Sequence, residues 1–189
     1  MKKVEHGKTF DRNAANPPAF EIFHNTVTEG YPEHWHTAIE IIMPTRGEYE
    51  VVVGKDSYNL KEGDIIMINS GVVHGMRFVS QGERIVMLVE PGCVENQEEM
   101  ETIFLRLPAI YFKKEDEEDP FYLFLRSQIL ELVREYDNEG AVMTHRICTG
   151  LKELFSEFGR KGFSDANAQN TFGAMKQQEY IEAVFSTAG

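Results

Sequence analysis

At 189 residues, 42% hydrophobic and 26% charged, the chain has the make-up of an ordinary globular protein, with length for one domain and an appendage or for two small ones. Its formal net charge is −12, with 9 basic and 13 acidic residues up to Val94 and 10 basic and 18 acidic beyond it. Both halves are acidic, which argues against direct binding of nucleic acid or of an anionic membrane, since both need clustered Lys and Arg.

Taken in order, residues 1–18 are polar and end in Asn16-Pro17-Pro18, which reads as a flexible or draped arm. The opening lysines precede no apolar core, so no secretory signal is expected, and no stretch nears the roughly 20 apolar residues of a membrane span. Cys93 and Cys148 stand far apart and outside any C-x-x-C spacing, which reads as two reduced thiols. A cytoplasmic protein is expected.

From Ala19 the texture becomes that of strands. FEIFHNTV (Phe20 to Val27), AIEIIM (Ala38 to Met43), EYEVVV (Glu48 to Val53), SYNL (Ser57 to Leu60), IIMIN (Ile65 to Asn69), GMRFVS (Gly75 to Ser80) and RIVMLVE (Arg84 to Glu90) are rich in β-branched and aromatic residues. Turn signals separate them, including Gly54-Lys55-Asp56, which suggests a hairpin. Short strands with turns about every 8–12 residues predict a β-sandwich or barrel.

After Pro91-Gly92 the period changes to that of helices. Glu95 to Leu107 carries Met100, Ile103, Phe104 and Leu107 on one stripe. A charged loop, Lys113 to Pro120, leads into a helix that Asp119-Pro120 would start. Phe121 to Tyr136 places Phe121, Leu125, Ile129, Leu132, Val133 and Tyr136 along a broad face, and Ala141 to Phe158 aligns Met143, Ile147, Leu151, Leu154, Phe155 and Phe158. Ser164 to Asn170 reads as a linker and Ala174 to Phe185 as a last helix with a short apolar face. Two such helices make an intrachain hairpin, a dimer interface, or both. The expectation is both, with Phe121, Leu125 and Ile129, or Met143, Ile147 and Leu151, at a two-fold contact. A lid packed only on its own barrel is the alternative.

The chemistry concentrates in Gly30 to Gly47, where His34, His36 and Glu40 form H-x-H-x3-E. On one β-strand these even-numbered positions would project to one side. His74 follows downstream in GDIIMINSGVVHGM. Three imidazoles and a carboxylate suit a divalent metal, zinc or nickel first and iron or manganese next. The bland alternative is a hydrogen-bonded polar cluster without metal. Met76, Met87 and His24 are further candidates to line a ligand pocket. Trp35 reads as packing, and Arg46 as an exposed turn residue.

These motifs resemble the cupin superfamily. Its first motif, G-x5-H-x-H-x3,4-E-x6-G, is matched by His34, His36, Glu40 and Gly47, with Gly30 nearer to His34 than the pattern has it. Its second, G-x5-P-x-G-x2-H-x3-N, is matched by Gly63, Gly71 and His74, while Asn69 and Phe78 replace the proline and the asparagine. The longer phrase from His34 through Tyr58, Leu60, Gly63 and Asp64 to His74 looks like the sensor domain of AraC-family transcription regulators.

That resemblance implies a mainly β fold with α: a double-stranded β-helix (jelly-roll) barrel followed by two to three antiparallel helices. It divides the chain into an arm (1–18), a cupin barrel (19–92), a helical dimerisation region (93–163), and a linker with the start of a terminal helix (164–189). It implies a small-molecule effector held beside the four ligand residues and a homodimer. DNA would be bound only through a helix-turn-helix part absent from this chain. The rival expectation is a metal-dependent cupin enzyme of dioxygenase, isomerase or lyase type using the His3Glu site.

Overall fold

Nine short strands, each long enough for one side of a small barrel, precede two long helices in the computed structural model, which describes residues 19–27, 29–93, 108–114, 118–138 and 142–161. The expected arm (1–18), the Glu95 to Leu107 helix, the Ser164 to Asn170 linker and the Ala174 to Phe185 helix lie outside the described residues. The strands are β1 (Phe20–Val27), β2 (Tyr31–His34), β3 (Ile39–Arg46), β4 (Tyr49–Val53), β5 (Asp56–Leu60), β6 (Ile65–Ile68), β7 (His74–Phe78), β8 (Gly82–Val89) and β9 (Ala109–Phe112). They form two antiparallel sheets, one ordered β1-β8-β3-β6-β9 and the other β2-β7-β4-β5. The fold is thus the expected jelly-roll barrel, followed by helices α1 (Pro120–Asp137) and α2 (Met143–Lys161).

Strand alternation divides the apolar residues into two cores. Ile42, Val51, Val53, Leu60, Ile66, Ile68, Met76 and Val86 fill the space between the sheets. Ile39, Ile41, Met43, Ile65, Met67, Ile85, Met87 and Val89 point the other way and pack beneath both helices. The inner strands of the larger sheet, β3, β6 and β8, are largely buried on both faces, which is why they read as nearly continuous apolar runs.

Sequence chemistry also fixes the helices. The Asp119 side chain accepts from the Phe121 N–H at 2.8 Å, and Pro120 occupies the first turn, where its missing N–H costs nothing. The Tyr122 hydroxyl donates to the Gly63 carbonyl at 2.8 Å, bolting α1 to the barrel. Phe112 meets Phe121 at a tilt and Phe158 edge-on, and Phe20 meets Tyr136 edge-on.

Here the expected dimer contact needs correction. Leu125, Ile129, Ile147 and Leu151 are at most 1% exposed within a single chain, covered by its own barrel, and Phe121 and Met143 pack partly buried against the same core. Each fully buried aliphatic side chain contributes on the order of 1.5–3 kcal/mol. The helices are therefore fixed to the barrel, and these six residues serve the intrachain core.

Strand β9 is a second departure, since it lies in the region read as helical. It pairs antiparallel with β6, Ile66 opposite Tyr111. Four residues after Pro108 are too few to display an alternating period, and only pairing with β6 defines them. Among the described residues no helix is long and apolar enough to cross a membrane.

Candidate metal centre

The segment carrying His34, His36 and Glu40 is a corner between sheets and not one strand. His34 ends β2 in the smaller sheet, His36 lies in the connection, and Glu40 is the second residue of β3 in the larger sheet. The expectation of alternation along a single strand is therefore wrong in its geometry, although the side chains do converge. They do so because the corner carries the chain from β2, at the edge of the smaller sheet, to β3, in the middle of the larger one, and because His74, at the start of β7, pairs directly opposite His34.

Gly71 helps to hold the two motifs together. Its φ of +73° belongs to the left-handed region that favours glycine, and its N–H donates to the His36 carbonyl at 2.8 Å. One backbone hydrogen bond thus links the histidine corner to the turn that precedes His74.

The ligand atoms of His34, His36, Glu40 and His74 all lie within 4.8 Å of one another. Each imidazole is anchored from behind. Nδ1 of His34 donates to the Pro32 carbonyl at 3.0 Å, Nδ1 of His36 to Ala38 at 2.9 Å, and Nδ1 of His74 to Val72 at 2.8 Å. A carbonyl only accepts, so the proton is on Nδ1 and Nε2 is left to face inward. Nε2 of His36 lies 3.1 Å and Nε2 of His74 2.8 Å from the same oxygen, Oε2 of Glu40.

Without a proton on Nε2, imidazoles presented this way would offer lone pairs, as does the carboxylate. Such a convergence of acceptors requires positive charge among them, supplied by protons or by a cation. Backbone acceptors that fix the Nδ1–H tautomer are also what orients metal-binding histidines. The donor set fits a divalent metal, which His34, His36, Glu40 and His74 would hold.

The electrostatics agree. Burial alone would raise the Glu40 carboxyl, but hydrogen bonds from His36 and His74, together with their charge, outweigh it and hold Glu40 well below the usual carboxylate range. Burial, and then the neighbouring His74, push His34 below the ordinary imidazole value, keeping it neutral and able to ligate. His34 is half-buried, whereas His36, Glu40 and His74 are buried, so the cluster has one open side.

The other sequence candidates separate. Met76 lies in the interior core, two residues along β7 from His74, and also borders a groove of about 310 Å³ on the outward side of the smaller sheet, where Tyr31, Glu33, Val52 and Arg77 line it. Met87 does not join it; its parity with Ile85 and Val89 puts it beneath the helices, fully buried. His24 is also corrected: it pairs with Ile85 on the helix-facing side of β1, where its Nε2 lies 3.3 Å from the Thr45 hydroxyl. Arg46 is the exposed last residue of β3, paired with Glu83 at 3.1 Å, and Trp35 is half-buried at the corner.

One interior residue was missed. Arg84 is buried in β8, in phase with Val86 and Leu88. A charged residue in the phase of an inward-facing stripe, on a strand apolar on both sides, was the available signal.

Residues 25–90 match the family model described as the cupin domain. No curated protein matches the chain. Among solved structures, it is similar to ToxT from Vibrio cholerae, at 11% identity and a TM-score of 0.49 over 76% of this chain and 57% of that one. It is also similar to the DMSP lyase DddQ from Ruegeria pomeroyi (24%, TM-score 0.36, 41% of each chain) and to the conserved protein SPY1581 of unknown function from Streptococcus pyogenes (18%, TM-score 0.35, 38% of this chain and 63% of that one). The chain spans less than two thirds of the length of each of these three.

Proposed function

From the premise that residues 25–90 form a cupin domain, we propose that this chain is the small-molecule-sensing and dimerisation portion of an AraC-type transcription regulator, with a divalent metal, zinc or nickel, at His34, His36, Glu40 and His74. The observation that carries the metal is the set of three imidazoles whose Nδ1 atoms are all committed to backbone carbonyls, turned toward one buried carboxylate. The sensor reading is supported by the motif phrasing from His34 to His74 and by the helical hairpin fixed to the barrel's outer face. On this reading the effector biases a two-state arrangement of the assembled regulator, and DNA contact belongs to a part beyond this chain.

Elemental analysis of the purified protein, followed by calorimetric titration with zinc and nickel, tests the metal. About one equivalent, present or acquired, is expected. Less than about a tenth of an equivalent, unchanged on adding metal, removes the metal from the reading.

A second reading, a metal-dependent cupin enzyme, is favoured by the half-exposed His34, because a catalytic metal needs an open position. Reading the gene past Gly189 separates the two: a basic segment of roughly a hundred residues with two helix-turn-helix patterns supports the regulator.

A further inference from the structure

The barrel interior contains a charged side chain that the four-residue cluster does not use. Arg84 is 7% exposed. Its Nη1 donates to the Met76 thioether, its guanidinium carbon lies 5.6 Å from the Tyr49 ring centroid, and its Nε has no hydrogen-bond partner. A thioether is a weak acceptor and a ring face only a partial substitute for an anion. The planar fork of an arginine is matched by a carboxylate, and this buried one has none.

The acids nearby are committed elsewhere. Oε2 of Glu40 already accepts from His36 and His74. Glu83, next along β8, is paired with Arg46 at the surface. Asp64, also buried, accepts from the Tyr111 hydroxyl and from the backbone N–H groups of Lys61 and Lys114.

Arg84 is also close to the cluster through a continuous run of side chains. Met76, its contact, is two residues from His74 on β7. The His74 ring lies 4.4 Å from that of His34, which in turn lies 4.8 Å from the Tyr31 ring.

We propose that Arg84 is the anion-recognising residue of this interior. The small molecule bound there carries a carboxylate that the guanidinium grips in bidentate fashion, with the rest of the molecule directed toward His34, His36, Glu40 and His74. This rests on the reading of the interior as a small-molecule site and names the chemical class of its ligand.

The test uses the full chain and matched probe pairs: malonate, succinate and benzoate against malonamide, succinamide and benzamide. Binding is followed by thermal shift and calorimetry, on zinc-loaded and on chelator-treated protein. The acids are expected to bind and the amides not. Arg84→Met should weaken acid binding roughly tenfold to a hundredfold, and Arg84→Lys should restore part of it.

Equal binding of amides, or acid binding undiminished in Arg84→Met, overturns the assignment while leaving a small-molecule site in place. Acid binding that survives Arg84→Met but disappears with the chelator puts the carboxylate on the metal and likewise overturns it. Failure of acids and amides alike to bind wild type overturns both the assignment and the sensor reading. Should Arg84→Met not fold, Arg84→Lys decides, since it keeps the charge and loses the fork; undiminished acid binding there overturns the proposal.

Discussion

The two faces of the larger sheet are built from the same strands and do opposite work. On β3, Ile39, Ile41 and Met43 point beneath the helices, while Glu40 and Ile42 point between the sheets. On β8, Ile85, Met87 and Val89 go outward, while Arg84 and Val86 go inward. The sheet residues of that core cluster with apolar residues of α1 and α2. The inner face mixes the same kinds of side chain with the Glu40 carboxylate and the Arg84 guanidinium, and the buried imidazoles of His36 and His74 reach Glu40 from the β2–β3 connection and from β7. One face maximises burial; the other gives up burial to hold polar groups. A step of one residue along a strand therefore moves a substitution from stability to chemistry.

The comparison is broken most severely from outside. Phe155 is 1% exposed and packs in the helix-barrel core near Phe158. Phe155→Ala should cost about 3–5 kcal/mol in urea unfolding, while the metal bound per folded molecule stays unchanged. A change in metal stoichiometry at low denaturant would show that the two faces are coupled, and the separation would fail.

Next in size is the inner face. Zinc at about a hundred times its dissociation constant should stabilise the folded chain by about 2.7 kcal/mol, because the unfolded chain lacks the assembled site. His74→Ala should abolish that increment. The increment should also be pH-dependent, since ligating imidazoles must be neutral. The sign follows from His34: its pKa is lowered by burial, so its contribution is complete above the ordinary value of 6.5 and is lost as pH falls through that value toward the depressed one. Thermal melts with and without zinc between pH 8 and 5 check this; an increment that grows on acidification contradicts it.

How much of this was legible in the sequence follows the same division. Seven strands stand out because their apolar runs are bounded by turns, and the α1 and α2 boundaries fall within two residues of the expected Phe121 to Tyr136 and Ala141 to Phe158 except at the far end of α2, which runs to Lys161. The four clustered residues were legible because spacing brings three of them close and a motif pairs them with His74. The way they converge was not, because β2 is four residues long and ends at His34, so the chain crosses between sheets where a single strand was expected. Sidedness was least legible. With both faces of β3 and β8 buried, apolar content does not say which residues face the interior, and so Met87 was assigned to the pocket and Arg84 was passed over. Only pairing register resolves it: Met87 stands opposite Ile41 and Ile22, both in the helix-facing core.

The smallest effect concerns the surface that neither core uses. Leu123 and Leu130, seven residues apart on α1, are 50% and 39% exposed, while Leu125 and Ile129 on the same helix are covered by the barrel. Positions seven apart lie on one helical face. The homodimer proposed from the family resemblance needs a surface, and Leu123 and Leu130 offer one exposed apolar stripe for it among the described residues. Replacing both leucines with serine should alter monomer stability by less than about 0.5 kcal/mol, as surface changes do. The same replacement should shift the light-scattering mass from two chains to one. A wild-type mass of one chain at micromolar concentration removes the dimer, and a dimer that persists in the double variant removes the stripe from it. Either result leaves the inner and outer faces of the sheet as they are, because neither leucine belongs to the core on either side.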